Sequence, residues 1–366
     1  MNLRLEMLQV ARLAPKLLGD SAQLVEAFIR SEQNSDGGFK DRDGRSDLYY
    51  TVFALDGLLA LQAEVPGESV ASFLHQFGYG EKLDFIHLCC LARCWGTLQH
   101  ATPIRCTPEI RQALVERLNL FRSRDGGFNP NSQAGVGGTG DPPVSSGHWP
   151  DEMGGTSALE KGARKNLPAS PVPSGGSPLG TGQWPVLPTA ATSEVGFNLL
   201  PQQATGSVYA AFLAAGAFGD LGAELQNPNS LVQSLKRLET SDGAWANDHH
   251  VKTGSTNATA AAAVLLTNLG MPLNVTVGDW LLARVHAEGG FVASPETPIP
   301  DLLSTATTLH ALSCLQRDIS GVRERCLDFV DSLWTNEGGF YGNWTEEKLD
   351  CEYTYYGLLA LGHLSV

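Results

Sequence analysis

Apolar positions along this chain fall into two alternating kinds of helical pattern. In the first they recur every three or four residues, as at Leu24 and Phe28, at Leu114, Leu118 and Phe121, at Leu231, Leu235 and Leu238, and at Cys326, Val330 and Leu333. That spacing predicts helices with one buried face. In the second the residues are apolar nearly all round, as in "TVFALDGLLAL", "TAAAAVLLTNL", "TATTLHALSCL" and "TYYGLLALGHL". Such a helix must be enclosed. Between the two kinds stands one turn, Asp36-Gly37-Gly38-Phe39, which returns as Asp125-Gly126-Gly127-Phe128, Asp242-Gly243-Ala244-Trp245, Glu288-Gly289-Gly290-Phe291 and Glu337-Gly338-Gly339-Phe340. Glycine accepts the left-handed conformation of a helix C-cap, so each turn is read as the stop of a half-polar helix, with the Phe or Trp packing back over its end.

The last three turns are 46 and 49 residues apart. That sets the repeat. The first two are 89 apart, about two periods, and "EKLDFIHLCCLARCWGTL" between them supplies the second helix of a unit without the Gly-Gly signature. Counting Leu24 to Leu61, Ser69 to Leu98, Arg111 to Ala217, Ser230 to Leu269, Val277 to Leu315 and Val322 to Leu364 gives six helical hairpins. A hairpin cannot bury its own apolar helix, so neighbours must. An open stack would leave enclosed-type helices exposed at two ends, whereas a ring of six inner helices inside six outer ones leaves none. The expectation is an all-α, α/α toroid (α6/α6 barrel) formed by residues 1–366 as one domain. The third unit is about 70 residues too long, and the excess at 131–203 carries much of the Gly and Pro surplus. With neither helical nor strand periodicity, that stretch is expected to be a low-complexity, disordered insertion.

Composition narrows the partners. The chain is 42% hydrophobic and 17% charged, an ordinary globular mix, with a formal charge of −14. An acidic surface disfavours nucleic acid and anionic membrane as partners. No apolar run reaches the roughly 18 residues a membrane span needs, and the first residues lack a signal-type hydrophobic block, so the cytoplasm is the expected compartment. Seven cysteines form no CxxC pair and read as reduced thiols. His87, Cys90 and Cys94 share one helical face, a spacing that a soft metal or plain packing would each explain.

Gly-Gly-Phe turns, with inner helices opened by an Asp four residues before a Thr, resemble the prenyltransferase and squalene-cyclase repeat family. The closest resemblance is to the β subunits of protein prenyltransferases, particularly the Rab geranylgeranyl kind. It implies an α/α toroid with a deep apolar cavity for an isoprenoid diphosphate, a zinc-held thiolate acceptor and a separate α-type partner subunit. The family's zinc motif aligns with Pro300-Asp301-Leu302-Leu303-Ser304-Thr305, so its aspartate is Asp301 and its cysteine has become Leu303. Its zinc histidine aligns with Tyr353 in Asp350-Cys351-Glu352-Tyr353-Thr354. Asp301 is therefore the only matching ligand. A catalytic zinc keeps three protein ligands, so a complete site is not expected and no cofactor is predicted. Cys351 and Glu352 lie about 200 and 100 degrees round the helix from the histidine position.

The diphosphate-binding cations are missing too. The loop from Phe291 to Ile299, where the family has Arg and Lys, holds no cation, and the nearest substitutes are His249, His250 and Lys252 before the inner helix of unit four. Cyclases of the superfamily protonate an alkene through Asp-x-Asp-Asp. The nearest approach here is the incomplete run Asp350 to Thr354, in a different repeat. Polar residues open four inner helices: Asp47, Asp84, Asp301 and Asp350, with Tyr50, His87 and Tyr353 three residues after the first, second and fourth. Each Asp is read either as a helix N-cap or as part of a polar ring at the toroid's mouth. The resulting expectation is a prenyltransferase-like protein, a transferase by resemblance, acting on or binding an isoprenoid (diphosphate) or other apolar small molecule in a central apolar cavity, with degenerate zinc and diphosphate motifs. Asp301, Asp350 and Tyr353 are its candidate catalytic residues, and His249, His250, Lys252, Tyr50 and His87 its candidate binding residues. A non-catalytic toroidal binding or interaction protein is the alternative.

Overall fold

The computed structural model describes residues 3–131 and 203–366. The expected insertion at 131–203 lies almost wholly outside them. Two short helices, α1 (Leu3–Ala11) and α2 (Pro15–Leu18), precede the repeats. Six hairpins follow, each an outer helix and an inner one: α3 (Ala22–Ser31) with α4 (Leu48–Ala60), α5 (Gly67–His75) with α6 (Phe85–Ala101), α7 (Pro108–Leu120) with α8 (Val208–Asp220), α9 (Pro228–Lys236) with α10 (Thr256–Asn268), α11 (Thr276–Leu282) with α12 (Leu302–Cys314), and α13 (Ser320–Ser332) with α14 (Cys351–Leu364). A two-stranded ribbon, β1 (Phe39–Lys40) antiparallel to β2 (Ser46–Asp47), lies in the first hairpin, with Phe39 opposite Asp47.

Each inner helix packs on the next, and α14 returns to α4. The ring is closed. Every residue of α14 is buried, as are all but one of α4, which accounts for their all-round apolar sequences. The outer helices bury one face only, Val25 and Ile29 of α3 being the clearest case.

The Gly-Gly turns act differently from the sequence expectation. Helices α3 and α13 end at Ser31 and Ser332, six residues before Gly37 and Gly338, so these glycines do not cap them. Their left-handed φ of 93° and 92° belongs to a turn pressed against the next outer helix. A Cβ on Gly37 would fall 2.0 Å from the Ser69 carbonyl oxygen of α5, and one on Gly338 would fall 2.1 Å from that of Leu24 in α3. The outer layer thus closes sixth unit onto first, as the inner layer does.

The aromatic residue and the Asp-to-Thr spacing are parts of one device. Thr51, Thr305 and Thr354 each donate their hydroxyl to the main-chain carbonyl of Asp47, Asp301 or Asp350, at 2.6–2.7 Å. The same threonine hydroxyl oxygens accept the N–H of Phe39, Phe291 and Phe340 at 3.0, 2.9 and 3.4 Å. Those rings are fully buried. A threonine four residues past the cap therefore ties the turn to the start of the inner helix, satisfying a buried N–H that would otherwise cost stability.

Helix α1 lies across the end of the ring where the inner helices finish. It touches α14, α4, α8 and α10 and buries Leu3, Met7, Leu8 and Ala11. Its approach to α14 is close, a Cβ on Gly362 falling 2.2 Å from the Val10 carbonyl oxygen. This helix lies ahead of the first repeat, which opens at Leu24 in the periodicity, and no repeat pattern announces it.

Candidate functional site: a chamber between a polar mouth and a charged floor

The six inner helices and α1 line a central chamber of two adjoining spaces. The upper walls carry Tyr49, Phe53, Tyr209, Phe212, Tyr355 and Tyr356, faced by the small Ala260 and Ala261 of α10. Phe53 packs against Tyr49, Tyr355 and Tyr356 with ring centroids 4.9–5.9 Å apart. The aromatic residues of α4 and α14 line the space. Alanines opposite leave the room that larger residues would take.

At the floor, Arg4 of α1 reaches three inner helices. Its Nε donates to Asp220 Oδ1 at 2.8 Å, and its Nη1 donates to Thr97 Oγ1 at 3.0 Å and lies 3.5 Å from Asp56 Oδ1. Arg93 donates to Asp56 from α6. All of Arg4, Asp56 and Asp220 are buried, so the charges are sustainable only as a matched set. Arg93 is the partial exception, with 20% of its side chain exposed and its guanidinium against both spaces.

The opposite end is the mouth, where the inner helices begin. All four aspartates expected there are N-caps: Asp47 accepts from the N–H of Tyr49 and Tyr50, Asp84 from His87, Asp301 from Ser304 and Asp350 from Tyr353. Ser207 and Ser255 cap the other two inner helices. Capping does not exhaust them. His87 bridges two caps, its Nδ1 2.9 Å from Asp84 Oδ1 and its Nε2 3.2 Å from Asp47 Oδ2. Burial alone would lower the His87 pKa, but these hydrogen bonds outweigh it and raise the group to about 10. His87 is thus an imidazolium held by carboxylates, which does not serve with Cys90 and Cys94 as a metal ligand.

Arg42, in the loop after the first Gly-Gly-Phe turn, crosses to the sixth unit. It lies 2.9 Å from Asp350 Oδ2 and 3.0 Å from Glu346 Oε1, with its guanidinium 5.4 Å over the Tyr353 ring. Beneath it Glu352 is 9% exposed and accepts a hydrogen bond of 2.6 Å from Tyr49 Oη. Burial, with the nearby Asp350 charge, pushes Glu352 up to about 8. Tyr50 is pushed up by burial and by the same two carboxyl groups.

The structure therefore brings Asp350, Tyr353, Tyr50 and His87 to one side of the mouth. Asp301 is beside Tyr353, close enough for its charge to act on that phenol. His249, His250 and Lys252 stand apart, exposed on the rim, where Asp248 accepts from the His250 N–H at 2.8 Å. Sequence reading missed Arg42, Arg93 and Arg4, the chamber aromatics Tyr209 and Phe212, and the inward placement of Glu352.

The residues at the family's zinc position do not make a zinc donor set. Both Asp301 oxygens accept from Ser304, from its N–H at 2.7 Å and its hydroxyl at 2.6 Å. Leu303 offers hydrocarbon to the chamber, and Tyr353 lies under a guanidinium, which disfavours a further cation. Cys351 is buried beside Glu32 and Lys40, away from Tyr353.

Glu352 gives a test of this electrostatic picture. Its folded-state pKa near 8 exceeds the ordinary glutamate value of about 4.3. Between those limits the folded chain holds a proton that the unfolded chain releases, so stability should fall as pH rises from 5 to 8. Over that window the wild type should lose about 2–4 kcal/mol more than Glu352→Gln in urea unfolding, the histidines contributing alike to both chains. An identical slope in the variant would show that Glu352 is ionised in the folded chain.

A closed double ring of helical hairpins around a chamber is the α/α toroid. Residues 6–106 and 259–365 match the prenyltransferase alpha-alpha toroid domain, and the chain belongs to that family. Solved structures agree in fold. A point variant of the type II terpene cyclase MstE from Scytonema, in complex with its substrate geranylgeranyl dihydroxybenzoate, superposes with a TM-score of 0.52, covering 96% of this chain and 97% of that one at 13% identity. A protein from Actinoplanes superposes with a TM-score of 0.53, covering 95% of this chain and 99% of that one at 16% identity. No curated protein matches the sequence. Among the described residues, no helix is long and apolar enough to cross a membrane.

Proposed function

We propose that this chain is a prenyltransferase-like protein that takes an isoprenoid into the central chamber, without the family's zinc-dependent transfer at Asp301. The carrying observation is the lining of the chamber: aromatic rings, alanines and aliphatic side chains with few polar groups, a surface suited to a branched apolar chain rather than a sugar or peptide. The MstE variant, of the same fold, holds a geranylgeranyl compound. The donor set around Asp301 and the cation-free loop from Phe291 to Ile299 argue against thiolate alkylation by a diphosphate. An α-type partner subunit, which the β-subunit resemblance implies, remains part of the proposal.

Calorimetric titration of the full chain with geranylgeraniol, farnesyl diphosphate and geranylgeranyl diphosphate, each with and without zinc, tests this. Saturable binding at micromolar concentration, indifferent to zinc, is the expected result. No binding of any isoprenoid would overturn the reading, and diphosphate binding that needs zinc would restore the transferase.

A second reading rests on Glu352. A carboxyl that keeps its proton near neutral pH, buried directly behind Tyr49 of the chamber wall, has the chemistry of a general acid toward a bound alkene. The proton would leave the carboxyl for an alkene carbon, and a later deprotonation of the carbocation would return one. Product formation abolished in Glu352→Gln, with binding intact, would support this reading. A wild-type chain that returns every isoprenoid unchanged would sink it.

A further inference from the structure

Arg4 serves the side of the floor formed by α4, α6 and α8. Two residues on, Glu6 turns to α10 and α12. There its carboxylate meets His310 and Cys314, four residues apart on one face of α12. One donor atom from each of the three lies within 4.8 Å of the other two, and Cys314 Sγ is 3.8 Å from His310 Nε2. A tetrahedral zinc with bonds of about 2.3 Å to sulfur and about 2.0 Å to nitrogen holds those ligands about 3.5 Å apart. The Cys314–His310 pair is nearly at that separation, and the Glu6 carboxylate lies within 4.8 Å of both, to be drawn in by the ion.

Two neighbours orient it. His310 Nδ1 is 3.2 Å from His363 Nε2 on α14, and in the tautomer whose Nδ1–H donates to His363 the Nε2 lone pair is turned to Cys314 and Glu6. Asn268 of α10 donates to Glu6 Oε1 at 3.2 Å. Metal-binding imidazoles and carboxylates are steadied in this way by their surroundings.

We propose that Glu6, His310 and Cys314 bind a zinc ion that pins α1 to the ring. Binding would release the Cys314 proton, and thiolate with carboxylate would neutralise the divalent charge. Nitrogen, sulfur and carboxylate donors suit zinc over calcium or magnesium. A water would complete four-coordination. The site lies about two and a half to three and a half turns along α12 from Asp301, and although His310 also lines the chamber, it does not rest on the isoprenoid reading, since it needs no guest.

Cobalt(II), added to the full-length chain, is the probe. One equivalent should give a tetrahedral visible spectrum with a thiolate charge-transfer band, and zinc should displace it. Cys314→Ser should abolish that band, and Glu6→Gln should weaken binding at least about tenfold. Both changes are nearly isosteric, and circular dichroism would verify the fold of each. Zinc should also slow proteolysis at α1 in the wild type and not in Glu6→Gln. A wild type without the band, or a band that survives Cys314→Ser and so belongs to another cysteine, would overturn the proposal. Cobalt bound without any thiolate band would do so too, placing the ion on the exposed Asp248-His249-His250 group.

Discussion

Replacing Arg4 by methionine is expected to destabilise the chain by about 3–5 kcal/mol, read as a lower urea midpoint at pH 7. Methionine preserves the apolar stem, so the loss isolates the guanidinium. It is removed from Asp220 and from one side of Asp56, both buried at the ends of inner helices. Leaving a buried carboxylate short of its cation costs more than the pair contributes. The double variant Arg4→Met with Asp220→Asn should therefore recover a large part of the loss, a coupling that unrelated sites would not show. A change below about 1 kcal/mol in the single variant would mean that α1 is not seated on the floor.

Alanine at Gly289 should cost at least about 3 kcal/mol, whereas alanine at Gly243, the equivalent turn of the preceding unit, should cost about 1–2 kcal/mol. Both have left-handed φ, 93° and 78°. Backbone strain is common to the two and sets the smaller value. Only Gly289 also meets a neighbour, its added Cβ falling 1.9 Å from the Arg325 carbonyl oxygen of α13, while Gly243 has nothing within 4 Å. Thermal unfolding of both variants checks the difference. Equal costs would show that the turn matters for its conformation alone and that the outer helices can draw apart.

Much of this architecture was legible because it is local and repeated. All-round apolar stretches such as "TYYGLLALGHL" could only be enclosed helices, and six of them implied a ring. The caps Asp47, Asp84, Asp301 and Asp350 were readable from position, since capping is a matter of three residues. What escaped depends on distant pairs. Arg42 meets Asp350 across 308 positions and Arg4 meets Asp220 across 216, and no periodicity announces either. Glu352 was set aside because it lies off the Tyr353 direction on the helix. The ring turns that direction toward Tyr49, a residue of the first unit. The Gly-Gly turns were correctly seen as special but for the wrong neighbour, because their constraint comes from the next hairpin.

The placing of α1 also has a history in time. Val10 packs against Gly362, and Arg4 against Asp56, Thr97 and Asp220, so the helix nearest the chain start has no finished seat until the sixth hairpin is made. Contacts that join such remote positions are slow to form, because loop closure must come first. Until then Leu3, Met7, Leu8 and Ala11 present an apolar stripe to solvent. The seat of α1 is thus complete only when the sixth hairpin is in place.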